Sequence, residues 1–118
     1  MIKQKKDVRV YLDDILNAIV HIEEYTTEGK RLFCRDDKTQ DAVIRQISII
    51  GEAASKLPVL LRKKYKQISW KEAISMRNIL IHEYSATNVQ RVWDTVKKDL
   101  PVLKKVITIM LNDMDGGS

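Results

Sequence analysis

Several residue types that most folds use freely are scarce in this chain. Its 118 residues include one cysteine, two prolines, four glycines, two histidines, two tryptophans, four tyrosines and one phenylalanine. With Cys34 alone, no intrachain disulfide can form and no cysteine-based zinc cluster can be built, so a buried or idle thiol is expected there. So few glycines, prolines and aromatics leave little material for a β-sandwich and its turns. No apolar run approaches the ~20 residues needed to cross a bilayer. The basic start (Lys3, Lys5, Lys6) lacks the apolar stretch of a signal peptide, which makes the cytoplasm the expected compartment. No glycine-rich loop could cradle a phosphate, and neither histidine sits with paired carboxylates at ligand spacing. No metal and no cofactor is therefore expected.

What is present is helical and basic. Hydrophobic residues make up 44% and charged residues 31% of the chain, and 21 Lys+Arg against 16 Asp+Glu give a net charge of +5. That balance favours polyanionic partners as well as solubility. From Asp7, a good N-cap, Val8, Leu12, Ile15, Ile19 and Ile22 recur at helical spacing, with Tyr11 and Leu16 on the flanks, predicting a helix to about Thr26. His21 falls on its far side and reads as a solvated histidine. Gly29 ends that element, and Arg35 to Lys38 read as a charged connection. A second helix from about Thr39 to Leu57 carries a core stripe of Val43, Ile47, Ile50, Ala54 and Leu57. It also carries a second stripe of Ala42, Gln46, Ile49 and Ala53, with Gly51 on the other flank of the core. A helix apolar over more than half its circumference touches two things, and the second stripe is a candidate dimer surface.

Pro58 ends that helix, and Leu60 to Tyr65 read as one short helical turn. Arg62, Lys63, Lys64 and Lys66 form the densest basic cluster. They read as a solvated face or as a guide for a phosphate backbone. After residue 84, Thr87 with Gln90 makes a capping box. The stripe Val89, Trp93, Val96, Leu100, Leu103, Ile107, Met110 then predicts one long helix to about Leu111, kinked near Pro101, where the carbonyl of Lys97 loses its partner. The expected fold is all-α, a four-helix bundle with a short additional helical turn. It forms one domain over residues 1–115, with 116–118 an expression linker or frayed end.

The chain is organised around Ser69 to Tyr84. Ser69 and Glu72 make a capping box, and Trp70, Ile74, Arg77, Ile81 and Tyr84 fall in one sector about 80° wide on a regular helix. Arg77 is the anomaly in that apolar stripe, because an unpaired buried charge costs several kcal/mol. Asn78 and His82 share a neighbouring stripe, whereas Arg77 and His82 are about 140° apart. Either the helix loosens near His82 or a second copy completes the site. His82 is the one plausible general acid or base near neutral pH, Arg77 is a forked cation suited to a phosphate, and Asn78 can orient either. A purely structural reading pairs Arg77 with Glu83, or with Glu72 of a partner.

Arg77-Asn78-x3-His82-x-Tyr84 resembles the Arg-x4-His-x-Tyr motif of HepT-type toxins in the HEPN superfamily. Asp-Asp-Ile-Leu-Asn-Ala-Ile from Asp13, Lys-Thr-Gln-Asp-Ala-Val-Ile-Arg from Lys38, Ile-Gly-Glu-Ala-Ala from Ile50 and Val-Trp-x4-Lys-x-Asp-Leu-Pro from Val92 agree in order and spacing. The resemblance therefore covers roughly residues 8–112. It implies a metal-independent endoribonuclease with its site at the cleft of a homodimer, with Arg77, Asn78 and His82 catalytic and RNA as substrate. It also implies a cognate nucleotidyltransferase antitoxin of the minimal type that transfers AMP to Tyr84. The alternative from another class is a non-catalytic helical module that docks the nucleotidyltransferase.

Overall fold

A computed structural model of the chain describes residues 5–78 and 88–116, and every regular element among them is helical. In chain order these are α1 (Lys5–Tyr25), α2 (Lys30–Arg35), α3 (Asp37–Ser55), α4 (Val59–Lys64), α5 (Trp70–Ser75) with a 3-10 turn over Met76–Asn78, α6 (Val89–Asp94), a π-helical turn over Thr95–Asp99, and α7 (Leu100–Gly116). The all-α bundle expected from the periodicity is what forms.

α1 begins with Asp7 in its first turn, where a carboxylate complements the helix dipole. Its stripe Val8, Leu12, Ile15, Ile19 and Ile22 is buried, as is the α3 stripe Val43, Ile47, Ile50, Ala54 and the following Leu57. Each such aliphatic side chain contributes about 1.5–3 kcal/mol by leaving water, which is why these stripes set the helix faces. His21 is exposed and stacks on Tyr25, ring centroids 6.1 Å apart, in keeping with a solvated histidine. α1 and α7 run antiparallel, since Arg9 near the start of α1 pairs with Asp115 near the end of α7, and Glu23 near the end of α1 pairs with Lys104 at 3.0 Å.

One connection differs from expectation. Residues 35–38 are not a charged link: residues 30–35 form α2, and Asp36 alone separates it from α3. The chain reverses at Gly29, whose φ of 90° lies where side chains other than glycine are strained. α2 is then held by tertiary contacts, with buried Phe33 against the Trp93 ring at 5.3 Å and the buried Gln40 amide donating to the Phe33 carbonyl at 2.9 Å. Cys34 in this helix is free and exposed, so it is not the buried thiol that was one of the two expectations.

The last helical path keeps its whole stripe buried, from Val89 through Met110. The irregularity expected at Pro101 takes the form of a π-helical turn directly before it, closed by the Leu100 N–H on the Thr95 carbonyl five residues back. Proline cannot donate to the Lys97 carbonyl, and a widened turn accommodates its ring without ending the helix. α7 then runs on to Gly116, five residues past the expected Leu111. The Thr87–Gln90 capping box rests on Thr87, which lies outside the described residues. Among them, Asn88 is the N-cap residue of α6 and Gln90 donates to Asp94 at 2.9 Å.

Candidate active site

Of the helix expected from Ser69 to Tyr84, Trp70–Ser75 is α-helical and Met76–Asn78 is a 3-10 turn that carries Arg77 and Asn78, while residues 79–84 lie outside the described residues. Its N-terminus carries one half of the expected capping box, the Ser69 hydroxyl accepting the Glu72 N–H at 3.3 Å. Trp70 anchors it. The indole is buried, and its N–H donates to the Tyr65 carbonyl at 2.8 Å. Tyr65 is in turn pinned to the end of α7 by a 2.6 Å bond from its phenol to Asp113. The α4–α5 connection is therefore fixed at both ends before the motif begins.

Ala73 and Met76 are buried, and the turn lies against α3 at Gly51. A Cβ on Gly51 would come within 2.9 Å of both the Arg77 Cβ and the Ile74 carbonyl oxygen, and closer still to the Arg77 backbone nitrogen. At this position the close neighbour is the chain's own motif turn.

The arginine anomaly resolves at the same contact. The Arg77 Cβ rests on Gly51, while the side chain as a whole is 44% exposed with Nη1 3.7 Å from Glu52 Oε2. An apolar stem against the core with a charged head in water removes the burial penalty. Among the described residues the carboxylate beside Arg77 is Glu52 of α3 in the same chain. Glu72 instead faces a cleft of about 200 Å³ between α5 and the start of α7, and Glu83 lies outside the described residues. Asn78 is exposed at the end of the turn. His82 and Tyr84 lie outside the described residues, so the grouping of Arg77, Asn78 and His82 expected from the motif is described only in its first two members.

The basic cluster is divided in use. Arg62 donates its Nε–H to the Leu57 carbonyl at 3.2 Å and so closes the corner between α3 and α4, while Lys63, Lys64 and Lys66 are exposed. Across the cleft from Glu72, burial first, then the negative charge of Glu72, hold the Asp99 carboxyl above the usual carboxylate range. Lys98 opposes that rise and Asp94 adds to it. Among the described residues no group of three or more histidine, cysteine or carboxylate side chains gathers as ligands would. Glu52 was not among the candidate site residues. Its only sequence signal was its place in the Ile-Gly-Glu-Ala-Ala stretch, and helical phase put it on the solvated arc.

Residues 15–110 match the family model described as Ribonuclease HepT-like. The chain belongs to the HepT-like ribonuclease family. Over 112 residues it is 46% identical to "Gamma-glutamylcyclotransferase and putative RNase MJ0434" of Methanocaldococcus jannaschii, covering 94% of this chain and 50% of that protein. This HepT-like chain thus spans half the length of that relative. It is 44% identical over 102 residues to "Probable ribonuclease HepT" of Thermococcus cleftensis, covering 85% of this chain and 92% of that one. No solved structure matches it. The matched span includes the whole of Arg77-Asn78-x3-His82-x-Tyr84.

Proposed function

We propose that this HepT-like chain is the toxin of a toxin–antitoxin pair, a metal-independent endoribonuclease that works as a homodimer in the cytoplasm. The observation that carries the reading is Arg77. In a ribonuclease family match that includes its whole motif, its side chain stands nearly half-exposed on a turn packed closely against α3. RNA brings its own nucleophile, the 2′-OH beside the scissile phosphate. Cleavage then needs a base for that proton, a cation for the charge building on phosphorus, and an acid for the leaving 5′-oxygen. Arg77 supplies the cation, Asn78 orients phosphate or imidazole, and two copies of His82 across a dimer cleft serve as base and acid. The exposed Lys63, Lys64 and Lys66 extend the attraction for the RNA backbone.

The purified chain is expected to cut single-stranded or loop RNA in the presence of a chelator and to leave a cyclic phosphate end. Arg77→Ala or His82→Ala should abolish cutting with the helical circular dichroism intact. Cutting that survives His82→Ala, or that needs added magnesium, would sink the reading. It would then favour the non-catalytic helical module, in which Arg77 and Glu52 are only a surface ion pair.

Control rests on Tyr84, two residues after His82. A nucleotidyltransferase antitoxin would transfer AMP from ATP to its phenol oxygen, releasing pyrophosphate, and the added phosphate would compete with RNA for the cations. Intact-mass spectrometry after incubation with the cognate nucleotidyltransferase and ATP should find AMP on Tyr84 and a silent nuclease. Tyr84→Phe should keep most of the cutting and escape silencing. AMP found on another residue would make Tyr84 structural.

A further inference from the structure

Two adjacent residues of α3 meet the motif turn in different ways, Gly51 by close contact and Glu52 by charge. Glu52 is bound on both sides, its Oε2 3.7 Å from Arg77 and its Oε1 3.8 Å from Lys56 one helical turn on. Lys56 also lies over the Tyr11 ring of α1, 5.8 Å from its centroid. The chain Tyr11–Lys56–Glu52–Arg77 thus runs from α1 across α3 to the motif.

Stability does not account for this arrangement. The side chains of Glu52, Lys56 and Arg77 are each close to half exposed, and ion pairs in that setting contribute only about 0–1 kcal/mol. The turn is already held by Trp70 and by the Gly51 contact. What the carboxylate does change is the freedom of the arginine. A free arginine side chain carries about 2 kcal/mol of rotamer entropy that must be given up when it grips a phosphate. A carboxylate beside Nη1 restricts the arm beforehand, and at 3.7 Å it does so without the short bidentate bonding that would saturate the fork. Lys56 keeps the sign right. Glu52 with Arg77 alone is neutral, and the three charges together leave one positive charge toward an incoming anion.

We propose that Glu52 is a positioning residue for Arg77, setting the direction from which the guanidinium meets the scissile phosphate, with Gly51 fixing the distance of the turn from α3. The substrate in this statement rests on the ribonuclease reading, whereas the hold on Arg77 does not.

The test uses the full chain with Glu52→Gln, which keeps the shape and removes the charge, and Glu52→Asp, which keeps the charge on a shorter arm. Two readouts are taken: the Arg77 side-chain 1H–15N resonance without RNA, assigned by its loss in Arg77→Lys, and kcat and KM for RNA cutting. In Glu52→Gln the Arg77 resonance should move toward that of freely rotating arginines. kcat should fall about ten-fold with KM changed less than about two-fold, as expected when pre-orientation is lost and the cation is kept. The melting temperature should hold, and Glu52→Asp should recover part of the turnover. An Arg77 resonance that does not move overturns the proposal. So does an unchanged kcat, or a loss seen only in KM or in folding. If the wild-type chain cuts no RNA while the resonance moves, the hold on Arg77 is upheld and the ribonuclease reading is what fails.

Discussion

Tyr65 has more to do than a core aromatic usually has. Its carbonyl receives the Trp70 indole and its phenol donates to Asp113, so one residue ties the start of the motif helix to the end of α7. That hydrogen bond first, then burial, then the charge of Asp113 push the phenol up to about 12. The neutral phenol is the form that folding favours. Its contribution is therefore full below the ordinary tyrosine value of about 10 and is lost as pH rises toward 12. In an alkaline absorbance titration, a share equal to one of the four tyrosines should ionise only as the pH nears 12. Tyr65→Phe should remove that late step and lower stability by about 1 kcal/mol, the usual net worth of one such bond. If the amplitude that Tyr65→Phe removes lies at about pH 10 instead, the bond is absent in solution.

At the scale of elements, long amphipathic helices were legible and short ones were not. α1, α3 and the Val89–Met110 stripe repeat large apolar residues over many turns, and burial of that stripe outweighs local propensity. α2 escaped because two turns of charged sequence carry one buried anchor, and what fixes Phe33 is Trp93, sixty residues away in sequence. Pro101 announced an irregularity but not its kind, since a kink and a π-helical turn relieve the same missing N–H. The candidate site divides likewise. Arg77 stood out as a charge in an apolar stripe, and Asn78 followed from the motif. The resolution lay in Gly51 and Glu52, whose relation to Arg77 depends on how α3 lies over the motif turn, and nothing in either segment alone encodes that register.

For the whole molecule, the question is which face the bundle leaves unfinished. On α3 the stripe Ala42, Gln46 and Ile49 is only half-buried, although Ala53 beside it is covered. That edge adjoins Tyr11, Asp14, Glu52 and Lys56, which line a shallow depression with Ile49 and Ala53. If two copies close over it, as a two-fold assembly requires, a charge there disfavours both. Ile49→Glu should shift the sizing profile to the monomer and reduce RNA cutting in parallel. A wild-type monomer at micromolar concentration that is fully active would rule the assembly out as the working form. Gly51 gives that edge mechanical meaning. It meshes with the Arg77 turn without clearance, as a rack meshes with its pinion, so α3 cannot slide along its axis without carrying the arginine with it. Whatever presses on the Ile49 edge also meets Glu52, the carboxylate beside that cation.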